Sequence, residues 1–247
     1  MKWVRRVTSL LLLLMLGPVA AAIGGVGNVA GDWRTATRQS SGIAPKPDTT
    51  PDAVVQVYAA RVFSWRGAFA VHTWISIKPK NANEYTVYEV MGRYVLGGGS
   101  ALQIRNDEPD RYWFGARPEL LSDLRGEKAA TAIKNIEAAV KAYPYADTYT
   151  TWPGPNSNTF TAFVTQRVPE LEADLPPTAI GKDYLPGGSI FGRAPSGSGA
   201  QISILGALGV LVSAKEGIEF NILGLSFGID PGDLAIRLPG IGRIGLR

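Results

Sequence analysis

The chain has no cysteine and a single histidine. Those two scarcities exclude zinc fingers, iron–sulfur clusters, thiol nucleophiles and multi-histidine metal sites from the chemistry one chain can build. Any imidazole chemistry passes through His72. Acidic residues are absent from positions 1–30, where Lys2, Arg5 and Arg6 are the only charges, so the rest of the chain holds 22 basic against 21 acidic side chains. A nearly neutral body lacks the clustered positive charge that binds phosphate backbones, and no nucleic-acid partner is expected. The carboxylates are too scattered to spell a metal site, and no resident cofactor is expected. What remains is 247 residues, 45% hydrophobic and 19% charged, the composition of a folded protein able to bury a core without a disulfide or metal staple.

The N-terminus reads as an export signal. A basic start is followed by the apolar run Val7 to Leu16, then Gly17-Pro18 and the small residues Ala20-Ala21-Ala22. Residues 1–30 are expected to be a cleaved signal peptide or a retained membrane anchor, since no charge appears until Asp32 and the span is just long enough to cross a bilayer. Either outcome places the body outside the cytoplasm, in a periplasm or on the outer face of the cytoplasmic membrane.

Residues 31–52 are polar and carry Pro45, Pro47 and Pro51, the pattern of an extended linker. The core is expected over 53–185. Val54 to Val62, Ala68 to Ile77 and Tyr85 to Met91 read as strands, with a fourth within Leu102 to Phe114, together an antiparallel meander. The period then changes: Ala129, Ile133, Ile136, Val140 and Tyr143 recur at helical spacing and predict a helix over Glu127 to Ala142. A second helix is expected to open near Asn158 after the turn Trp152-Pro153-Gly154-Pro155. Residues 186–247 hold 14 of the 29 glycines and predict an apolar β-hairpin, Gln201 to Ser213 with Gly217 to Ile229, whose two-sided apolar strands imply packing on the core or, as the alternative, contact with a membrane surface. The fold class is therefore α+β: an antiparallel sheet with two packed helices and a Gly-rich C-terminal hairpin.

Alternation sorts the strand around His72 into two faces. Phe69, Val71, Thr73, Ile75 and Ile77 form the core face, while His72, Trp74 and Ser76 share the other. A symmetric loop pairing Ile77 with Glu84 would put Glu89 opposite His72, where a carboxylate can fix the imidazole tautomer. Ser157, at a helix N-terminus in Asn156-Ser157-Asn158-Thr159-Phe160, sits where the helix dipole favours an oxyanion. Those same residues are also ordinary N-caps, and both readings stand. Trp74, Tyr145, Trp152, Asn156 and Asn158 are the candidate substrate contacts beside the candidate catalytic set His72, Ser157 and Glu89.

The stretches "VQVYAARVFSWRGAFAVHTWI", "ARPELLSDLRG", "YPYADTYTTWPGPNSNTF" and "DLPPTAIGKDYL" resemble a bacterial exported family catalogued as a domain of unknown function. More distantly, the order of His72 and the Asn156–Phe160 turn is similar to the circularly permuted papain-like hydrolases and acyltransferases, with Ser157 in the position of the cysteine nucleophile. That resemblance implies a papain-like core and amide or ester chemistry through Ser157 and His72. The loss of the thiol leaves a weaker nucleophile. Three functions are therefore expected to compete: a serine-based envelope hydrolase or acyltransferase, an inactive module binding a small-molecule, peptide or lipid envelope ligand, and a structural protein held at the membrane by its N-terminal segment and its C-terminal hairpin.

Overall fold

The computed structural model describes residues 2–26 and 32–246. The last residues assigned to the signal segment, 27–30, and the first of the linker, 31, lie outside the described residues. Helix α1 spans Lys2–Ile23, 22 residues with Pro18 inside, about 33 Å long at 1.5 Å per residue. It is the one described helix long and apolar enough to cross a membrane. An apolar N-terminal helix of this kind fits a signal sequence.

The body is α+β. Strands β1 (Val54–Arg61), β2 (Val71–Lys78) and β3 (Thr86–Val90) follow in sequence, then the short helix α2 (Gly92–Leu96), then β4 (Leu102–Asn106) and β5 (Glu119–Arg125). They form an antiparallel sheet in the order β4-β3-β2-β1-β5. The four expected strands are the meander; β5, whose sequence ELLSDLR carries three charges in seven residues, joins its far side against β1. Helices α3 (Gly126–Lys141) and α4 (Ser157–Arg167) cover one face. The predicted stripe Ala129, Ile133, Ile136 and Val140 is buried there with Val55, Val57, Ile75, Ile77, Phe160, Phe163 and Val164. The opposite face carries Tyr58, Ala60, Trp74 and Val87, packed under Ile43, Trp113 and Ala116.

Residues 32–45, read from sequence as part of a linker, dock as a strap over that second face. Asp110 holds the strap. Its side chain accepts hydrogen bonds from the Ser40 and Ser41 hydroxyls (2.7 and 3.1 Å) and from the backbone N–H groups of Ile43 and Ala44 (2.5 and 3.0 Å). The Tyr112 N–H donates to the Gln39 carbonyl at 2.8 Å.

Beyond α4, the C-terminal region forms a second sheet of seven antiparallel strands, not one hairpin. They are β6 (Phe191–Arg193), β7 (Gly199–Ile204), β8 (Leu208–Ser213), β9 (Gly217–Ile222), β10 (Leu225–Asp230), β11 (Ala235–Leu238) and β12 (Gly242–Ile244), neighbours in chain order. The expected hairpin register survives in its centre, where Ser213 pairs with Gly217 and Leu208 with Ile222. Its long strands are cut because Leu205-Gly206 and Leu223-Gly224 adopt left-handed backbone and turn the chain.

The strands are also not apolar on both sides, because the side they bury is polar. Gln201, Ser203, Glu219, Asn221, Ser226 and Arg237 are buried. The rows Phe191–Ile202–Val210–Phe220–Phe227 and Val212–Ile218–Ile229–Ile236–Ile244, paired directly across the strands, share the outer face. The buried polar side is tied to the segment after α4. Lys182 Nζ donates to Asp183 Oδ1 at 2.9 Å and Glu219 Oε2 at 2.7 Å, and Arg237 grips Asp174 through two nitrogens at 2.8 and 2.6 Å. Glu219 Oε1 completes the network against Arg237 Nε. Opposed charge raises Arg237 and Lys182 despite burial, whereas for Glu219 burial prevails and pushes the carboxyl up.

Candidate functional site

Strand alternation on β2 decides which groups can meet. Thr73 points to the helices, where its hydroxyl contacts Asn158 Oδ1 at 3.0 Å, Thr161 Oγ1 at 2.9 Å and the Ser157 carbonyl at 3.4 Å. His72, one residue earlier, points to the other face and stacks on Trp113 with ring centroids 3.7 Å apart and planes 9° from parallel. Ser157 and His72 therefore lie on opposite sides of the sheet. They do not form the nucleophile–base pair that acyl transfer through His72 requires.

His72 and Glu89 do meet, with His72 Nε2 and Glu89 Oε2 3.0 Å apart. The register differs from the symmetric-loop expectation: Ile77 faces Thr86, not Glu84. A shift of two keeps every side chain on its face, so Glu89 still reaches His72, diagonally. The other carboxylate oxygen accepts from Arg105 Nη2 at 2.5 Å and Arg111 Nη2 at 2.6 Å. Burial pushes Glu89 up, but the His72 hydrogen bond and the charges of Arg111 and Arg105 more than offset it and hold the carboxyl at about 2. Burial pushes His72 below its ordinary value, and Glu89 only partly restores it. A neutral imidazole beside an ionised carboxylate must donate from Nε2, which fixes the tautomer.

Above this cluster is a pocket of about 240 Å³. Arg38 from the strap, Arg93 from α2, Arg105 from β4 and Arg111 from the following loop line it, with Asp107 the only acidic residue among the lining side chains. Arg38 lies over the Phe114 ring at 4.3 Å, and Arg111 lies near both Trp74 and Trp113 at 5.5 and 5.6 Å. Asp107 Oδ2 takes Arg105 Nε at 3.1 Å. Arg105 Nη1 is buried and has no hydrogen-bond partner. Four guanidiniums against Asp107 and the underlying Glu89 leave the pocket two charges positive.

The remaining candidates serve structure. The buried Trp74 indole donates to the Pro109 carbonyl at 2.7 Å. Asn156 caps α4 in a capping box, its Oδ1 accepting from the N–H groups of Asn158 and Thr159. Asn158 Nδ2 bonds the carbonyls of Val71 at 3.0 Å and Ile180 at 2.8 Å. Tyr145 packs edge-on against Tyr143 and Tyr184, and the half-exposed Trp152 donates to the Leu223 carbonyl at 2.9 Å. The arginines that build the pocket are not among the residues the sequence singles out. Their one local signal is the run Arg105-Asn-Asp-Glu-Pro-Asp-Arg-Tyr-Trp-Phe114, where two arginines flank acids and lead into three aromatics.

A family model described as "Protein of unknown function (DUF3750)" matches residues 52–184, more than half of the chain. Comparisons with curated proteins and with solved structures found no match.

Proposed function

We propose that this chain, which belongs to the DUF3750 family of proteins of unknown function, is an exported envelope protein that binds an anionic ligand in the arginine pocket without turning it over. The observation that carries this reading is Arg105 Nη1, a buried guanidinium nitrogen left without an acceptor in a pocket lined by three further guanidiniums. A phosphate or carboxylate supplies that acceptor and neutralises the surplus charge, with the bidentate geometry to which guanidinium is matched. The volume suits a head group and not a whole drug-sized molecule. Trp113, Phe114 and Tyr94 give the wall rings on which a planar or apolar neighbour of the anion can rest. His72 and Glu89 act as positioning groups: the imidazole backs Trp113, and the carboxylate orients Arg105 and Arg111.

The non-catalytic reading rests on chemistry. The imidazole is covered by Trp113 and held neutral, and the nucleophile candidate stands behind the sheet. Export is supported by the basic start and apolar run of α1.

Thermal stability and calorimetry with inorganic phosphate, phenyl phosphate and benzoate test the reading. At least one anion is expected to raise the melting temperature of the wild type and fail to do so for Arg93→Ala and Arg105→Met, with Ser157→Ala unchanged. Failure of all three anions to bind, or equal binding by the arginine variants, refutes it.

A further inference from the structure

Soluble monomers seldom leave a large continuous apolar surface in water. The second sheet leaves both outer rows, ten side chains on seven strands, turned away from the body, with Phe191 71% and Val212 55% exposed. The sheet has inverted the usual arrangement: charges face in, where they are paired, and Ile, Val and Phe face out. The turns extend the same surface. Leu205, Leu223 and Leu234 hold left-handed backbone at φ of 52°, 55° and 47°, positions where Asn or Gly avoids the Cβ clash. Each is more than half exposed. Leucine there is locally unfavourable and gains nothing in water; an apolar surrounding offsets the strain.

Helix α1 identifies that surrounding. Its buried residues are Leu14, Gly17, Pro18 and Ala21, and it meets the body at the turn between β11 and β12, where a side chain on Gly17 would collide with the Pro239 carbonyl and one on Gly240 with Pro18. Glycine on both partners permits this backbone contact. Its other side keeps Leu12, Leu13 and Leu16 exposed at 62–64%. A helix of bilayer-spanning length thus rests between the core segment 64–68 and the β11–β12 turn, at one end of the sheet whose outer face is apolar. At the rim, Trp152 donates its indole N–H to the Leu223 turn, the two-sided placement that Trp takes at a membrane–water boundary.

We propose that the outer face of the seven-stranded sheet lies against the acyl region of a lipid bilayer, beside a retained α1. The surface rows carry no hydrogen-bonding groups that a protein partner would read, and lipid requires none. This inference does not depend on the arginine pocket.

The absence of cysteine makes the test direct. Full-length chain carrying Val210→Cys, Ile229→Cys or, as a control on the outward side of α3, Glu137→Cys is labelled with bimane and reconstituted in phospholipid vesicles. Lipids brominated in their acyl chains are expected to quench positions 210 and 229 and spare 137, with aqueous iodide giving the opposite pattern. Circular dichroism establishes that each variant is folded. Iodide quenching at 210 and 229 equal to that at 137 overturns the proposal. So does protection from both quenchers with disulfide formation between Val210→Cys chains, which assigns the face to a second copy. Membrane-purified chain is expected to retain α1; a chain beginning after Ala22 and wholly soluble also overturns it.

Discussion

Glu89→Gln removes one charge at the point where three side chains depend on it. Glu89 is fully buried and touches His72, Arg105 and Arg111. Its carboxyl is held at about 2 from an ordinary 4.5, a difference that corresponds to roughly 3 kcal/mol at neutral pH. Leaving Arg111 buried beside a neutral amide places the loss toward the range of about 3–5 kcal/mol typical of a broken buried pair. The pH dependence has a definite sign. Because the folded carboxyl is depressed, its contribution is complete above pH 4.5 and disappears as pH falls toward 2. His72 is depressed too, so its contribution is complete above about 6.5 and declines below that as protons bind the unfolded chain. Urea unfolding followed by tryptophan fluorescence, with Trp74 and Trp113 at the site, measures both effects. In the wild type stability should fall in two stages on acidification, and Glu89→Gln should lose the lower one. As the only histidine, His72 gives an unambiguous nitrogen NMR signal, expected to show a neutral ring protonated on Nε2 at pH 7. A variant within 1 kcal/mol of wild type, or a His72 that titrates at about 6.5, would refute the reasoning.

Arg237→Met should destabilise by about 3–5 kcal/mol in the same unfolding assay, because Glu219 stays buried with one cation fewer; the loss should shrink when Glu219→Gln is added. Gly224→Val should lower stability by about 1–3 kcal/mol through overpacking, since its backbone is left-handed at φ 82° and a Cβ would sit 3.0 Å from the Trp152 indole nitrogen. Asn156→Ala should remove the α4 cap at a loss of about 1 kcal/mol, measured by thermal melting. Ser157→Ala should leave stability nearly unchanged, and a fluorophosphonate should label neither that variant nor the wild type.

The legible parts of this fold are those set by period alone. Alternation separates His72 from Thr73 correctly, and helical spacing brings Ala129, Ile133, Ile136 and Val140 to the sheet. Register needs the loop: the segment between Ile77 and Thr86 is two residues longer than the symmetric guess, and Glu89 reaches His72 only because that error is even. Period is silent about which face of a strand is inside. In the second sheet Ile202, Val210 and Phe220 alternate as any half-buried strands would, and the inward choice is made by Lys182, Asp174 and Asp183, distant in sequence from the strands they anchor. The arginine pocket was hidden for a similar reason, since Arg38, Arg93, Arg105 and Arg111 come from four separate elements.

The ion pairs beneath the second sheet bear on modularity. The family match ends at residue 184, yet Asp174, Lys182 and Asp183 lie before that boundary while Glu219, Asn221 and Arg237 lie after it. Cutting the chain there would leave uncompensated charges on both pieces, and the seven strands would lose the partners of the only face they bury. Residues 186–247 expressed alone are therefore expected not to fold. The core and its sheet are expected to unfold as one cooperative unit, because the charges of each are balanced by the other.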